Sequence, residues 1–213
     1  MFVDYVRVYV DTSAAPPPPS PTPMPYDDFE YGGNMGNNWG SWWWASAGGG
    51  STGTVTVTGP GYGGSPKAIH FYGNRAAAGG AILGGNLNAA VCDFGDMTAY
   101  DGIVFYIKGT LAATASLSLQ YTQPTITDFD DYSEPVTVTA AWTPVTILFS
   151  QLSQGGWGAA KPFTQNDLTD LQFDLGGSGA YDFWVDNVTF ISLSPSPTPT
   201  PTPSVTPTPT VTV

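Results

Sequence analysis

A single cysteine, a single histidine and five basic residues set the first limits on this 213-residue chain. One cysteine, Cys92, excludes an intramolecular disulfide, a Cys-ligated zinc site and a CxxC redox pair. Lying between Val91 and Phe94, it reads as a small buried hydrophobe. The one histidine, His70, stands in an alternating stretch with no HExxH pattern and no serine nucleophile elbow near it. Five Lys and Arg face 17 Asp and Glu, a formal charge of −12. The chain thus lacks the basic footprint that displaces counterions from nucleic acid, and an anionic membrane surface would repel it. Neutral or cationic ligands remain. No apolar run approaches the ~18–20 residues of a membrane span, and none follows a basic start like that of an export signal. A soluble protein is expected.

Proline and glycine are abundant, 20 and 26 residues, and proline is concentrated in two blocks. Such blocks cannot supply the backbone donors that a sheet or helix needs. Residues 16–25 (PPPPSPTPMP) read as a stiff polyproline spacer, about 3.1 Å per residue. Residues 194–213 form a second, Pro/Thr-rich linker too poor in large apolar groups to pack. Between them, residues 26–193 hold most of the aromatic and aliphatic mass and are expected to be the folded unit. Residues 1–15 begin with MFVDYVRVYV, an alternating β-like run. We read it as the last strand of an upstream domain.

Within 26–193 short β-branched or alternating runs follow one another: 54–58, 68–72, 102–108, 116–122, 136–139, 144–149, 170–175 and 181–190. Clusters of Gly, Pro, Asn, Asp and Ser separate them. No helical period is sustained; 150–153 has room for one short turn. Eight or more short strands in one domain predict an all-β, two-sheet antiparallel β-sandwich of the jelly-roll type, with Pro-rich flanks lacking fixed structure.

Glycosidases need two carboxylates about 5–10 Å apart, yet 15 of the 17 acids are aspartates and no E-x-D-x-E strand occurs. The DFDD cluster at 128–131 is the sole catalytic candidate, and we expect no catalysis from this segment. A metal reading has more to draw on. In YDDFE (26–30) the strand period turns Phe29 inward and Asp28 and Glu30 outward; in VDN (185–187) it turns Val185 inward and Asp186 outward. First and last strands of a jelly roll are often neighbours. Asp28, Glu30 and Asp186 are therefore expected to offer hard oxygen ligands to a structural calcium ion that clamps the chain ends.

Aromatic residues make up 14% of the chain, and several lie in Gly/Asn-rich stretches where packing does not obviously require them. Trp39, Trp42, Trp43 and Trp44 sit in NNWGSWWW and Trp157 in QGGWG. Trp39 and Trp43 read as core or loop anchors; Trp42 and Trp157 read as exposed platforms. A sugar ring has an apolar CH face and a rim of hydroxyls, so bare rings beside Asp, Asn or Gln acceptors are its complement. Each stacked ring contributes roughly 1 kcal/mol, giving weak binding that grows with polymer length.

Six motifs in order resemble carbohydrate-binding module family 11: YDDFE (26–30), NWGSW (38–42), IVFYIK (103–108), WTPVTILFS (142–150), DLTDLQF (167–173) and FWVDN (183–187). Together they span 26–193. The opening MFVDYVRVYV is similar to the C-terminal strand of family 16 glycoside hydrolases, the laminarinase-like β-glucanases. The first resemblance implies a β-jelly roll that binds a single β-glucan chain in a cleft on the concave sheet and carries structural calcium. It places Trp42 where the family has a cleft tyrosine, Asp128 near a cleft aspartate, Trp157 at a further aromatic, and Gln172 at a polar cleft position. By alternation Gln120 and Asp174 share the outward parity of concave positions. The small stretch 73–80, around Ala78, departs from the pattern where an aromatic is expected. No arginine stands at 153–157 either. The implied role is non-catalytic binding of β-glucan-type polysaccharide by a secreted or cell-surface protein, covalently linked to a catalytic glycoside hydrolase domain. The alternative is a structural jelly roll whose aromatics make protein contacts in an extracellular assembly.

Overall fold

The structure is a computed structural model that describes residues 23–30, 35–87 and 95–193. The expected remnant strand, residues 16–22 of the first Pro-rich linker, the second linker and Cys92 lie outside the described residues; Met24 and Pro25, expected to end the first linker, instead belong to a strand of the folded unit.

The described residues form one compact unit within Pro21–Leu193. It contains eleven strands: β1 (Met24–Asp27), β2 (Trp43–Gly48), β3 (Thr52–Thr58), β4 (Ala68–Arg75), β5 (Gly80–Asn86), β6 (Gly102–Leu111), β7 (Ala115–Thr122), β8 (Tyr132–Val136), β9 (Thr143–Leu148), β10 (Asp170–Gly177) and β11 (Gly179–Ile191). Two short 3-10 turns, Tyr62–Gly64 and Phe149–Gln151, interrupt them. One sheet has the order β3-β4-β11-β6-β9, with β1 also paired to β11; the other has the order β2-β5-β10-β7-β8. All pairings are antiparallel. This is the expected all-β sandwich.

Alternation explains the core. Leu117, Leu119 and Tyr121 of β7 and Leu171, Phe173 and Leu175 of β10 point inward from one sheet. They meet Phe71, Phe105, Phe183 and Phe190 from the other. Each fully buried aromatic or aliphatic side chain contributes about 1.5–3 kcal/mol. Phe173 packs edge-on to Phe105, centroids 5.1 Å apart.

The start of the unit is fastened by polar hooks inside this core. Trp43 Nε1 donates to Asp27 Oδ2 at 2.7 Å, Tyr26 Oη donates to the Asn86 carbonyl at 2.7 Å, and Asn37 Nδ2 donates to Tyr26 Oη at 3.0 Å. Trp43 is buried, as expected, and Trp39 packs against the core from its edge. With Trp43 pinned inward, strand alternation turns Trp42 and Trp44 to the outer face.

Candidate functional site

The outer face of the five-stranded sheet carries a rung of side chains running across it. Trp44 of β2 stands opposite Gly84 of β5, which stands opposite Gln172 of β10; Gln172 stands opposite Gln120 of β7, and Gln120 opposite Ser133 of β8. The Trp44 indole leans over Gly84, and its Nε1 donates to Asn86 Oδ1 at 3.0 Å, with Asp170 Oδ1 at 3.4 Å. Gln120 Nε2 donates to Gln172 Oε1 at 2.7 Å. That bond leaves the Gln172 amide NH2 and the Gln120 carbonyl oxygen without a partner among the described residues.

These groups floor a hollow of about 470 Å³ whose walls include Trp44, Ile82, Thr122, Phe129, Asp131 and Asp174. Burial pushes the Asp174 carboxyl up to about 6, opposed by the charge of Arg75. Asp131 is also pushed up to about 6, first by burial and then by the charges of Asp128, Asp130, Asp174 and Asp170. No hydrogen bond from a described residue offsets either shift. Two acceptors therefore line the hollow with their hydrogen-bonding capacity open.

Phe129 is the most exposed large hydrophobic residue described, at 81%. Its φ of +64° is an outlier for a bulky side chain. The neighbours on both sides hold it there. Asp130, buried, accepts the amides of Gly155 (2.7 Å), Gly156 (3.0 Å) and Gly158 (2.9 Å). Asp128 accepts the amide of Ala159 at 2.7 Å, and this bond is the first cause holding its carboxyl below the usual range. The β7–β8 loop and loop 154–159 are thus laced together, and the second of these carries Trp157, 67% exposed.

Of the sequence-named residues, the structure brings Gln120, Gln172 and Asp174 into the hollow. Trp42, 45% exposed, lies outside the lining, one rung beyond Trp44. Asp128 also lies outside it, its carboxylate spent on loop amides, and Trp157 sits on the laced loop beside it. Ala78 lies in the turn between β4 and β5, where its carbonyl backs Gly49. Sequence reasoning missed Trp44, Phe129 and Asp131 as lining residues. The signal for Trp44 was present: a buried Trp43 obliges Trp42 and Trp44 to share the other face.

The acids named for calcium need correction. Asp186 was expected on the outer surface and is fully buried. The β11 register shifts only after Asp186, between it and Thr189, with Asn187 at φ +50°; Asp186 still stands opposite Tyr106 with the outward parity expected, and the turn folded over it is what buries it. The turn over Asp186 supplies Tyr62 N–H at 2.6 Å and Ser65 Oγ at 3.0 Å, and Asn187 N–H donates at 2.7 Å. Burial still pushes its carboxyl up, the charge of Glu30 adding a smaller push. Glu30 accepts the Lys67 amide at 3.1 Å, while Asp28 turns to the Glu30 amide and to Asn38 Nδ2. Among the described residues no group of three or more His, Cys, Asp or Glu is placed to hold a metal ion. The trio does not converge, whereas Glu30 and Asp186 do lie within each other's field.

No protein-family model matches the chain, and no curated protein matches it. Solved structures do. A family 11 carbohydrate-binding module of a cellulosomal cellulase of Clostridium thermocellum superposes with a TM-score of 0.61 at 16% identity, covering 80% of this chain and 95% of that one. A family 11 module from the same organism in complex with a β-1,3-1,4-mixed-linked tetrasaccharide gives 0.61 at 18% identity, with 80% and 95% covered. A family 30 carbohydrate-binding module of a cellulosomal cellulase of C. thermocellum gives 0.54 at 20% identity, with 72% and 92% covered. At such identities the likeness is one of fold: the chain has the β-sandwich jelly-roll architecture found in these modules.

Proposed function

We propose that the hollow on the five-stranded sheet binds a neutral β-glucan-type polysaccharide without catalysing any reaction on it. The observation that carries this reading is the arrangement of Trp44, the Gln172–Gln120 pair and the open carboxylates Asp131 and Asp174 around one hollow, with Phe129 at its wall. Trp44 offers an apolar ring to a sugar CH face, and the amides and carboxylates match hydroxyls. Anionic sugars are disfavoured by the two carboxylates and by the chain's charge of −12. One family 11 module of the same fold was solved with a mixed-linkage tetrasaccharide, which supports the β-glucan class. In the parent protein the module would hold a linked glycoside hydrolase near its substrate outside the cell, raising effective concentration. No described helix is long and apolar enough to cross a membrane.

For calcium we keep a reduced reading. Glu30 and Asp186 would hold the ion, whose preference for hard oxygen suits two carboxylates near enough for the charge of one to act on the other. It would neutralise their repulsion and tie the end of β1 to β11.

Native gel retardation in β-1,3-glucan, mixed-linkage glucan, mannan and xylan tests the binding reading. Retardation by a β-glucan that Trp44→Ala abolishes in a folded protein is the expected result. Unaltered migration of the wild type in every polymer would instead favour a structural jelly roll making protein contacts.

A further inference from the structure

The opposite face of the sandwich carries a second aromatic constellation that the hollow does not use. One rung of the six-stranded sheet places His70 of β4, Trp184 of β11 and Lys108 of β6 side by side on the outer surface. His70 stacks on Trp184 with centroids 3.9 Å apart and 10° between planes, and Tyr72 stacks on His70 at 4.7 Å. Lys108 Nζ lies 4.9 Å from the Trp184 ring centroid and 4.7 Å from that of Trp142.

In this stack the interior rings cover one another, so Trp184 offers an edge. Tyr72 terminates the row. It is 39% exposed, and its outer face is the one left for a ligand. Beside it runs a groove of two adjoining hollows, about 370 and 300 Å³, which share Thr110 and Asp182; Tyr72 walls the first, and Lys108 and Trp184 wall the second. Asp182 gives one carboxylate oxygen to His70 Nε2 at 2.8 Å, and its side chain is 55% exposed. The other oxygen points to no partner among the described residues. Lys108 makes no ion pair among the described residues.

We propose that this groove is a second binding site, for a neutral saccharide, independent of the hollow on the other sheet. The groove pairs the unbonded carboxylate oxygen of Asp182, the Lys108 ammonium held beside Trp142 and Trp184 without an ion pair, and the Thr110 hydroxyl with the uncovered face of Tyr72. Its two charges cancel, which suits a polyol and not an anion. The stack behind Tyr72 fixes the ring before binding, so little rotamer freedom is lost on contact. A chain with binding faces on both sheets would bridge two polysaccharide strands.

The test is an NMR titration of the full chain with cellohexaose, laminarihexaose and xylohexaose, comparing wild type with Trp44→Ala. In Trp44→Ala, resonances of Tyr72, Trp184 and Asp182 should still shift saturably with at least one hexaose. Tyr72→Ala and, separately, Asp182→Asn should weaken that response by about fivefold or more, the effect of one lost ring contact or charged acceptor. These two exposed positions avoid the folding risk of replacing Trp184, and their melting temperatures are measured alongside. Shifts on this face without any at Trp44 in the wild type would sustain the inference while ending the reading of the first hollow. Absence of shifts on this face with all three sugars would overturn it. So would a concentration-dependent dimer dissolved by Tyr72→Ala, which would give the face to a second copy of the chain.

Discussion

The Trp44 indole occupies the space that a side chain at Gly84 would fill: a β-carbon built there would lie 2.3 Å from the ring. On the other side of the same strand, a β-carbon at Gly85 would meet Tyr26 Oη at 2.6 Å and the Trp43 ring at 3.1 Å. Consecutive glycines of β5 therefore seat one tryptophan on each face. Gly84→Ala should lift Trp44 off its seat and break its bond to Asn86. Overpacking of this kind costs typically 1–3 kcal/mol, and loss of the platform should weaken glucan binding roughly fivefold or more. Calorimetric melting and gel retardation of the same variant check both; unchanged retardation would count against Trp44 as the platform.

Asp131 and Asp174 give stability and binding opposite pH trends. Their folded-state values, about 6, lie above the ordinary unfolded value near ~3.9. The native state thus holds protons that the unfolded chain releases, and this contribution to stability is full below about pH 4 and lost as pH rises through about 6. The melting temperature should rise as pH is lowered from 7 to 5, and the double variant Asp131→Asn/Asp174→Asn should reduce that rise, the remainder coming from Asp27, which burial also pushes up to about 6, and from Asp186. Glucan affinity should fall over the same interval, because protonated carboxyls lose charge-assisted bonds to hydroxyls. Parallel trends in the two measurements would contradict this assignment.

Asp130 is the clasp between two loops. Its replacement by Ala leaves three glycine amides short of an acceptor, and we expect a loss of about 2–4 kcal/mol. Phe129 and Trp157 should then lose their fixed settings. Hydrogen exchange at Gly155, Gly156 and Gly158 is the direct readout, with rapid exchange in the variant and protection in the wild type.

Calcium binding between Glu30 and Asp186 makes a plain forecast. EDTA should lower the melting temperature and added calcium restore it, and Glu30→Gln should remove the difference. An EDTA-insensitive melt would take calcium out of the description of this junction.

Strands rich in β-branched and aromatic residues were legible from the sequence: β3, β4, β6, β7, β9, β10 and β11 all fall on expected runs. The strand expected at 136–139 lies instead at Tyr132–Val136. Its register follows pairing with β7, which puts Ser133 opposite Gln120. The strands β2 and β5 escaped notice because WWASAG and GAILGGN are poor in β-branched residues. Their small residues answer to ring packing across the sheet, which local propensity does not register. The candidate site was half legible for the same reason. Gln120, Gln172 and Asp174 follow from alternation, whereas Phe129 and Asp131 depend on ties between segments some 25–31 residues apart. Asp186 misled because a turn more than 120 residues away in sequence, carrying Tyr62 and Ser65, folds over its outward carboxylate and buries it.

The pairing of β1 with β11 bears on how the module responds to load. Met24, first in β1, stands opposite Phe190, next to last in β11. The backbone enters and leaves the sandwich at one corner, so tension along the chain would open this pair like a zipper, bond after bond. Pulled through both ends of the described unit, the sandwich would yield first at that corner, while the sheet bearing Trp44, Gln172 and Gln120 stays unstrained.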